Sequence, residues 1–513
     1  MKLIKAMATV AGLTGLSRIV GFIRDVLTAA YLGAGPIADA FFVALKLPNF
    51  FRRVTAEGAF SIVFVPMYSK TVSNENQESA DQLASNAFMV MLSILSAFTF
   101  LALMLMPLII SAIAPGFQSD PTRFNAAVEL SRITFPYLLL MSLTALLGGV
   151  LNALNRFAPF AFAPVLFNLC LIISLFFSNA FQSAGHAMAW GLLSAGVLQF
   201  IFLWISAKRA GVRIKFAKPE FNTDIRKILK LMGPAVIGAG VVHVNLFADL
   251  IMASFLQEGS ISYLYYADRL NQLPLGVVGI AVGTALLPML STAMTKETDE
   301  AQHLFNRALE YCLLLGLPAA IALGVMPYAL VSTLFERGAF DATDSLITSY
   351  VLMAYAIGLP AYIAIKVFST AHWAREDTTT PVKVSVTATI INILLSILLI
   401  QFIGVVGIAL ATGLTGWLQF YMHIKMLKDH PHAQFDKKFL KNMPKIIVSS
   451  LVMGAAVYAL TQILQPFLTS EVALMQISGL GAIVVTGIVL YATLVLMLGI
   501  VSLSEIKKYM RNK

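Results

Sequence analysis

Charge is what this chain has least of. Only 12% of its 513 residues are charged, while 58% are hydrophobic. A soluble domain carries about 25% charged residues, so the deficit excludes an ordinary water-solvated surface over most of the chain. Cysteine is nearly absent too. Cys170 and Cys312 both lie inside apolar runs, so no disulfide framework is implied. The motifs of nucleotide and hydrolytic chemistry are also missing: there is no P-loop, no H-E-x-x-H pair and no G-x-S-x-G turn with suitable partners. These absences point away from an enzyme, from a bound cofactor and from direct ATP coupling. Any work the protein does must draw on a Na+ or H+ gradient or on the membrane potential.

What the chain does have is length in apolar runs. A membrane span needs roughly 20 apolar residues. Runs separated by polar, glycine or proline punctuation predict an all-α polytopic membrane protein with about 14 transmembrane helices. They cover residues 6–32, 37–69, 84–114, 125–153, 159–179, 186–207, 225–256, 261–292, 302–327, 344–374, 380–401, 405–427, 441–464 and 474–503. Lys2 and Lys5 precede an apolar stretch as in a signal peptide, but Arg18, Arg24 and Asp25 interrupt it and no small-residue cleavage site follows. The first run is therefore read as a retained span.

The net charge of +10 does not mark a nucleic-acid face, because the basic residues collect in short loops. Residues Lys208 to Lys230 hold one cluster and Lys425 to Lys445 a second. Lys507, Lys508, Arg511 and Lys513 form a third at the end of the chain. The loops on the other side show only Arg123 and Arg337. By the positive-inside rule both termini are cytoplasmic. The two long basic loops divide the chain into residues 1–215, 216–430 and 431–513: two six-helix lobes and a final helix pair. Leu47-Pro48 and Val65-Pro66 in span 2 are echoed by Leu273-Pro274 and Leu287-Pro288 in span 8, as expected of pseudo-symmetric lobes.

A few charged residues fall inside the spans. Span 1 holds Arg18, Arg24 and Asp25, span 2 holds Asp39, Lys46, Arg52, Arg53 and Glu57, and span 8 holds Asp268 and Arg269. Facing lipid, each would cost about 2.5–3.5 kcal/mol or more, so they face a protein interior or a wet cavity. One reading pairs them off as Arg24 with Asp39, Arg52 with Glu57, and Arg269 with Asp268. The spacing of the last two pairs is poor for ideal helices. The count also fails, since Arg18, Arg24, Lys46, Arg52, Arg53 and Arg269 outnumber Asp25, Asp39, Glu57 and Asp268. A cationic excess in the membrane suits an anionic substrate, and the planar fork of arginine suits phosphate. A second polar set, Asp249 in span 7, Asn392 and Ser396 in span 11 and Thr412 in span 12, offers either a site for a monovalent cation or an interhelical hydrogen-bond cluster.

Four segments carry a resemblance: Ser17–Asp25 (SRIVGFIRD), Asp39–Pro66 (DAFFVALKLPNFFRRVTAEGAFSIVFVP), Asn155–Pro164 (NRFAPFAFAP) and Tyr265–Pro288 (YYADRLNQLPLGVVGIAVGTALLP). They closely resemble the MurJ (MviN) family of lipid II flippases, in the multidrug/oligosaccharidyl-lipid/polysaccharide exporter superfamily, and the resemblance runs along essentially the whole chain. It implies movement of lipid II, the undecaprenyl-pyrophosphate-linked peptidoglycan precursor, from the inner to the outer leaflet of the bacterial cytoplasmic (inner) membrane by alternating access. It implies functional roles for Arg18, Arg24, Arg52, Arg269 and Asp39; the buried charges themselves add Lys46 and Arg53 as substrate-binding candidates and Asp25, Glu57 and Asp268 as gate or ion-pair candidates. Where family members can carry an acid one turn after the arginine of span 8, this chain has Gln272, which puts a gating ion pair there in doubt. The resemblance also suggests that spans 13 and 14 form a groove for the lipid tail. The expected partners are lipid II and membrane lipids, with other cell-wall synthesis proteins as candidates, for a monomer. A flippase for another polyprenyl-linked glycan, a cationic-drug antiporter on the same fold and a non-transporting scaffold are the alternatives.

Overall fold

In the computed structural model, described for residues 2–52, 61–74, 76–295, 300–428, 430 and 433–501, the chain is helical throughout. The helices are α1 (Lys2–Leu32), α2 (Pro36–Arg52), α3 (Ser61–Asn74), α4 (Gln77–Met104), α5 (Met106–Ile113), α6 (Pro121–Thr134), α7 (Tyr137–Ala153), α8 (Ala158–Phe176), α9 (Ala184–Arg209) and α10 (Thr223–Ser254). They continue with α11 (Ser260–Thr295), α12 (Glu300–Val325), α13 (Pro327–Phe335), α14 (Ala342–Trp373), α15 (Thr379–Ile403), α16 (Val405–Leu427), α17 (Lys437–Ile463), α18 (Gln465–Leu468) and α19 (Ala473–Met497). Arg53, Glu57 and the basic residues Lys507, Lys508, Arg511 and Lys513 lie outside the described residues.

Proline accounts for most of the differences from the expected runs. The run 125–153 is two helices, α6 and α7, parted at Phe135-Pro136. The run 302–327 ends one helix at Val325, and Pro327 begins the next. A proline cannot donate to the preceding turn but fits the first turn of a new helix. Pro107, in the first turn of α5, divides the run 84–114 in the same way.

Among the described residues, ten helices are long and apolar enough to cross a membrane, against the about 14 expected. The runs outside those ten include α1, α2, α10 and α11, which hold Arg24, Asp39, Asp249 and Arg269. Large apolar side chains stand exposed along the helices, among them Leu474, Met497 and Phe402 at 75%, 79% and 75%. Water does not tolerate such continuous apolar cover, whereas hydrocarbon does.

The chain forms two compact units, residues 1–262 with 337–340, and residues 263–336 with 341–513. The boundary between these units falls at Ser262. α10 belongs with the first unit because it packs on α3, α4 and α5, and residues 431–513 belong with the second because α17 packs on α12. Within the first unit α1 packs on α8, and α2 on α6. Gly33 adopts a left-handed φ of 64° at the end of α1, where a Cβ would stand 2.3 Å from the Ala339 carbonyl oxygen. Within the second unit α14 packs on α16 at Gly358 and Gly413, where a Cβ on Gly358 would stand 2.6 Å from the Gly413 Cα. Such backbone proximity is the membrane use of small residues.

Candidate functional site

The charged side chains of α1 are held where α1 meets α8. Arg24 and Asp25 are both buried. Neighbours in sequence do not face each other on an ideal helix. The long arginine nevertheless folds back, placing Nη2 2.5 Å and Nε 3.2 Å from Asp25 Oδ1. Its Nη1 donates to Asn168 Oδ1 at 2.8 Å, and the guanidinium lies 5.6 Å from the centre of the Phe167 ring. Asn168 in turn donates from Nδ2 to the Ser17 carbonyl at 3.1 Å. A guanidinium so placed is oriented, and its charge is shared with a carboxylate and an amide. Arg18 is exposed on α1.

Asp39 does not pair with Arg24, contrary to one sequence expectation. It is fully buried, and its carboxylate accepts from the Gly259 amide at 2.9 Å, the Ser262 amide at 2.9 Å and the Ser262 hydroxyl at 2.7 Å. These donors flank the start of α11. Asp39 thus satisfies helix-start amides from another helix, as an N-cap residue does from its own. Arg123 stands behind it, with Nη2 3.7 Å from Asp39 Oδ2. Arg123 also donates to the carbonyls of Leu256 and Ser254 and lies 4.2 Å from the Phe117 ring centre.

Lys46 and Arg52 are half-buried on α2, and Arg52 Nε donates to Asn49 Oδ1 at 3.3 Å. The Arg52–Glu57 pairing lies outside the described residues. In the second unit Arg269 is half-buried over the Tyr265 ring, 4.6 Å from its centre. Gln272 donates to Asp268, so the residue that replaces the family's acid partners the neighbouring carboxylate.

The second polar set comes together in part. Asn392 donates to the hydroxyls of Thr412 and Thr415, each at 3.2 Å. Asn392 Oδ1 and Ser396 Oγ, one turn apart on α15, are buried without a hydrogen-bond partner among the described residues. Two orphaned oxygens fit the chemistry of a hard monovalent cation. Asp249 is half-buried on α10, in the first unit.

Sequence reasoning missed Asn168, Phe167, Thr415 and the structural use of Arg123. Asn168 did leave a signal, as a lone carboxamide inside the apolar run 159–179. Arg123 left only an Asp-Pro helix start two residues before it, since Asp120 accepts from the amides of Thr122 and Arg123.

This architecture has known counterparts. It matches an inward-facing multidrug resistance MATE family transporter of the MOP superfamily with a TM-score of 0.62 over 81% of this chain and 96% of that one, at 15% identity. At that identity the likeness shows the fold alone, that of a helical membrane transporter. A solved structure of "Lipid II flippase MurJ, inward closed conformation" matches with a TM-score of 0.79 at 29% identity, over 94% of this chain and 97% of that one. The sequence pattern of the family described as "Lipid II flippase MurJ" covers residues 28–478. A "Probable lipid II flippase MurJ" of Rhizobium tropici is 38% identical over 100% of this chain and 97% of its own length. A "Lipid II flippase MurJ" of Burkholderia cenocepacia is 32% identical over 89% and 90%. The chain belongs to the MurJ lipid II flippase family.

Proposed function

We propose that this protein is a lipid II flippase, a transporter and not an enzyme, which serves peptidoglycan synthesis from within the cytoplasmic membrane with both termini on the cytoplasmic side. The observation that carries the reading is full-length similarity to relatives named for that activity. The charge pattern supports it independently. Arg18, Arg24, Lys46 and Arg52 lie on α1 and α2 and Arg269 on α11, helices composed mostly of apolar residues. A pyrophosphate needs such cations and, above all, planar guanidinium groups.

In this reading the arginines of α1 and α2 engage the pyrophosphate, and access alternates from one membrane face to the other. The polyprenyl tail stays in lipid or along α17 and α19. Asp25 holds Arg24 folded back and oriented between turnovers and gives way when phosphate oxygens compete for the guanidinium. Asn392 and Ser396 supply the oxygens of a Na+ site that couples the cycle to a gradient. The alternative for these oxygens is a closed hydrogen-bond cluster, and the orphaned state of both favours the cation.

Outward accessibility of lipid II in cells depleted of their own flippase tests the proposal. The chain should restore it. Arg24→Ala should reduce restoration by about 100-fold or more, from the loss of several charge-assisted hydrogen bonds at the phosphate, with the protein still present in the membrane by immunoblot. Restoration of normal export by Arg24→Ala would sink the assignment of that residue, and failure of the parent chain would sink the function.

A further inference from the structure

A second polar groove lies in the first unit, at the end of the α6–α9 pair remote from the basic segment 208–230. It encloses about 500 Å³ and is lined by Glu129, Arg132, Phe181, Gln182, His186 and Trp190, among others. None of these residues belongs to the charged set of α1, α2 and α11.

Glu129 and Arg132 are three residues apart on α6, the spacing at which opposite charges normally close on each other. Here they do not. Arg132 makes one long bond, from Nε to the Leu103 carbonyl at 3.4 Å, and remains exposed. Glu129, with its side chain 60% exposed, meets His186 Nε2 at 3.4 Å.

Ser183 caps α9, its hydroxyl oxygen accepting from the His186 amide at 3.3 Å and lying 2.8 Å from His186 Nδ1. That contact fixes the ring with Nε2 facing Glu129. Glu129 is therefore an oriented carboxylate with lone pairs to spare, and Arg132 has both Nη groups directed at no protein oxygen among the described residues. Phe181 and Trp190, 38% and 47% exposed, supply apolar ring faces beside the two charges. Aromatic rings at the mouth of a polar groove are the signature of the membrane–water interface.

We infer that this groove binds the zwitterionic headgroup of an aminophospholipid, a phosphatidylethanolamine, from the leaflet opposite the basic loops. Arg132 takes the phosphate, Glu129 takes the primary ammonium, and the rings of Phe181 and Trp190 cover the glycerol and the first methylenes. The Cβ atoms of the two residues stand about 5–6 Å apart on one helix face, so one headgroup that carries both charges reaches both side chains. A choline headgroup offers no N–H to Glu129, and a glycerol headgroup offers no cation.

Full-length protein in nanodiscs containing phosphatidylcholine, phosphatidylethanolamine and phosphatidylglycerol tests this, with native mass spectrometry reading the lipids that remain attached. Phosphatidylethanolamine should be retained over phosphatidylcholine, and Glu129→Gln/Arg132→Gln should reduce its retention about tenfold, one charge-assisted contact's worth at an exposed site. Equal retention of the two zwitterions, or retention unchanged in the double variant, overturns the inference. So does preferential retention of phosphatidylglycerol that Arg132→Gln abolishes, which would make the groove a site for an anionic lipid only. A second readout uses Trp190 as the sole tryptophan after replacing Trp204, Trp373 and Trp417 with Phe. Brominated phosphatidylethanolamine should quench it more strongly than brominated phosphatidylcholine, and equal quenching counts against the site.

Discussion

Two buried arginines, one in each compact unit, are held in opposite ways. In the second unit Arg307 on α12 contacts Glu310 one turn along and both oxygens of Asp436, each at 3.1 Å. Asn442 donates to Glu310 at 2.8 Å, and Asp436 also caps α17 through the Phe439 amide. Asn306 completes the knot, donating to the Gln434 carbonyl and accepting from the Asp436 amide. Four of these contacts, Arg307–Asp436, Asn442–Glu310, Asn306–Gln434 and Asn306–Asp436, tie α12 to the start of α17 or the residues just before it. In the first unit the ion pair of Arg24 is with Asp25, its own neighbour on the same helix. That pair lies within one helix, and Asn168 and the Phe167 ring link Arg24 to α8. A buried ion pair is weak evidence for stability, and one between neighbours on the same helix adds little to the packing of one helix on another. The proposed function assigns Arg307 to architecture and Arg24 to the ligand.

The sharpest test exchanges the two effects. Arg307→Ala leaves Glu310 and Asp436 without their cation and should destabilise the protein by about 3–5 kcal/mol, read as a large fall in thermal midpoint in detergent and in membrane abundance. Arg24→Ala should instead lose lipid II export with a much smaller fall in midpoint. If both variants lose stability equally, the distinction fails.

Asp39 is the intermediate case. Resemblance casts it as a functional acid, yet its oxygens are occupied by helix-start donors and faced by Arg123. Asp39→Ala should cost about 1–3 kcal/mol from the amides left unpaired. A double-mutant cycle with Arg123→Ala should show coupling of about 0.5 kcal/mol or more. No coupling would return Asp39 wholly to the ligand side of the comparison.

Packing without charge supplies a reference. Gly358→Ala sets a methyl against the Gly413 backbone and should cost about 1–3 kcal/mol, with export reduced only as far as abundance falls. The smallest effect belongs to Asp377, after α14. Burial raises its carboxyl, but hydrogen bonds with Thr380, His372 and Thr379 outweigh this and hold it well below the usual carboxylate range. A depressed pKa stabilises the fold above the unfolded value, and the contribution disappears as the pH falls through the carboxylate range. Asp377→Asn should therefore lower the midpoint by about 2 °C or less at neutral pH and flatten its decline in acid.

The candidate site was legible to differing depths. The membrane class, most helix positions and the cationic excess follow from apolar run length and the count of charges, because span length and the cost of buried charge are local properties. Prolines 107, 136 and 327 were visible in the sequence, but only the structure shows that each begins a new helix. The partners were not legible. Arg24 was weighed against Asp39 and took Asp25 and Asn168, while Asp39 took Ser262 and Arg123. The sequence carries no sign that Arg123, counted among loop cations, turns inward to two carbonyls and a phenyl ring.

The sequence by itself determined that this is a polytopic membrane protein with a surplus of basic residues in its spans, and its similarity determined the flippase family. Those conclusions rest on composition, periodicity and motif, which need no knowledge of what touches what. Tertiary structure alone decided which charges are structural. Arg24 and Asn168 are 144 residues apart, Asp39 and Ser262 223, and Arg307 and Asp436 129. At such separations helix packing, not spacing along the chain, chooses the partner.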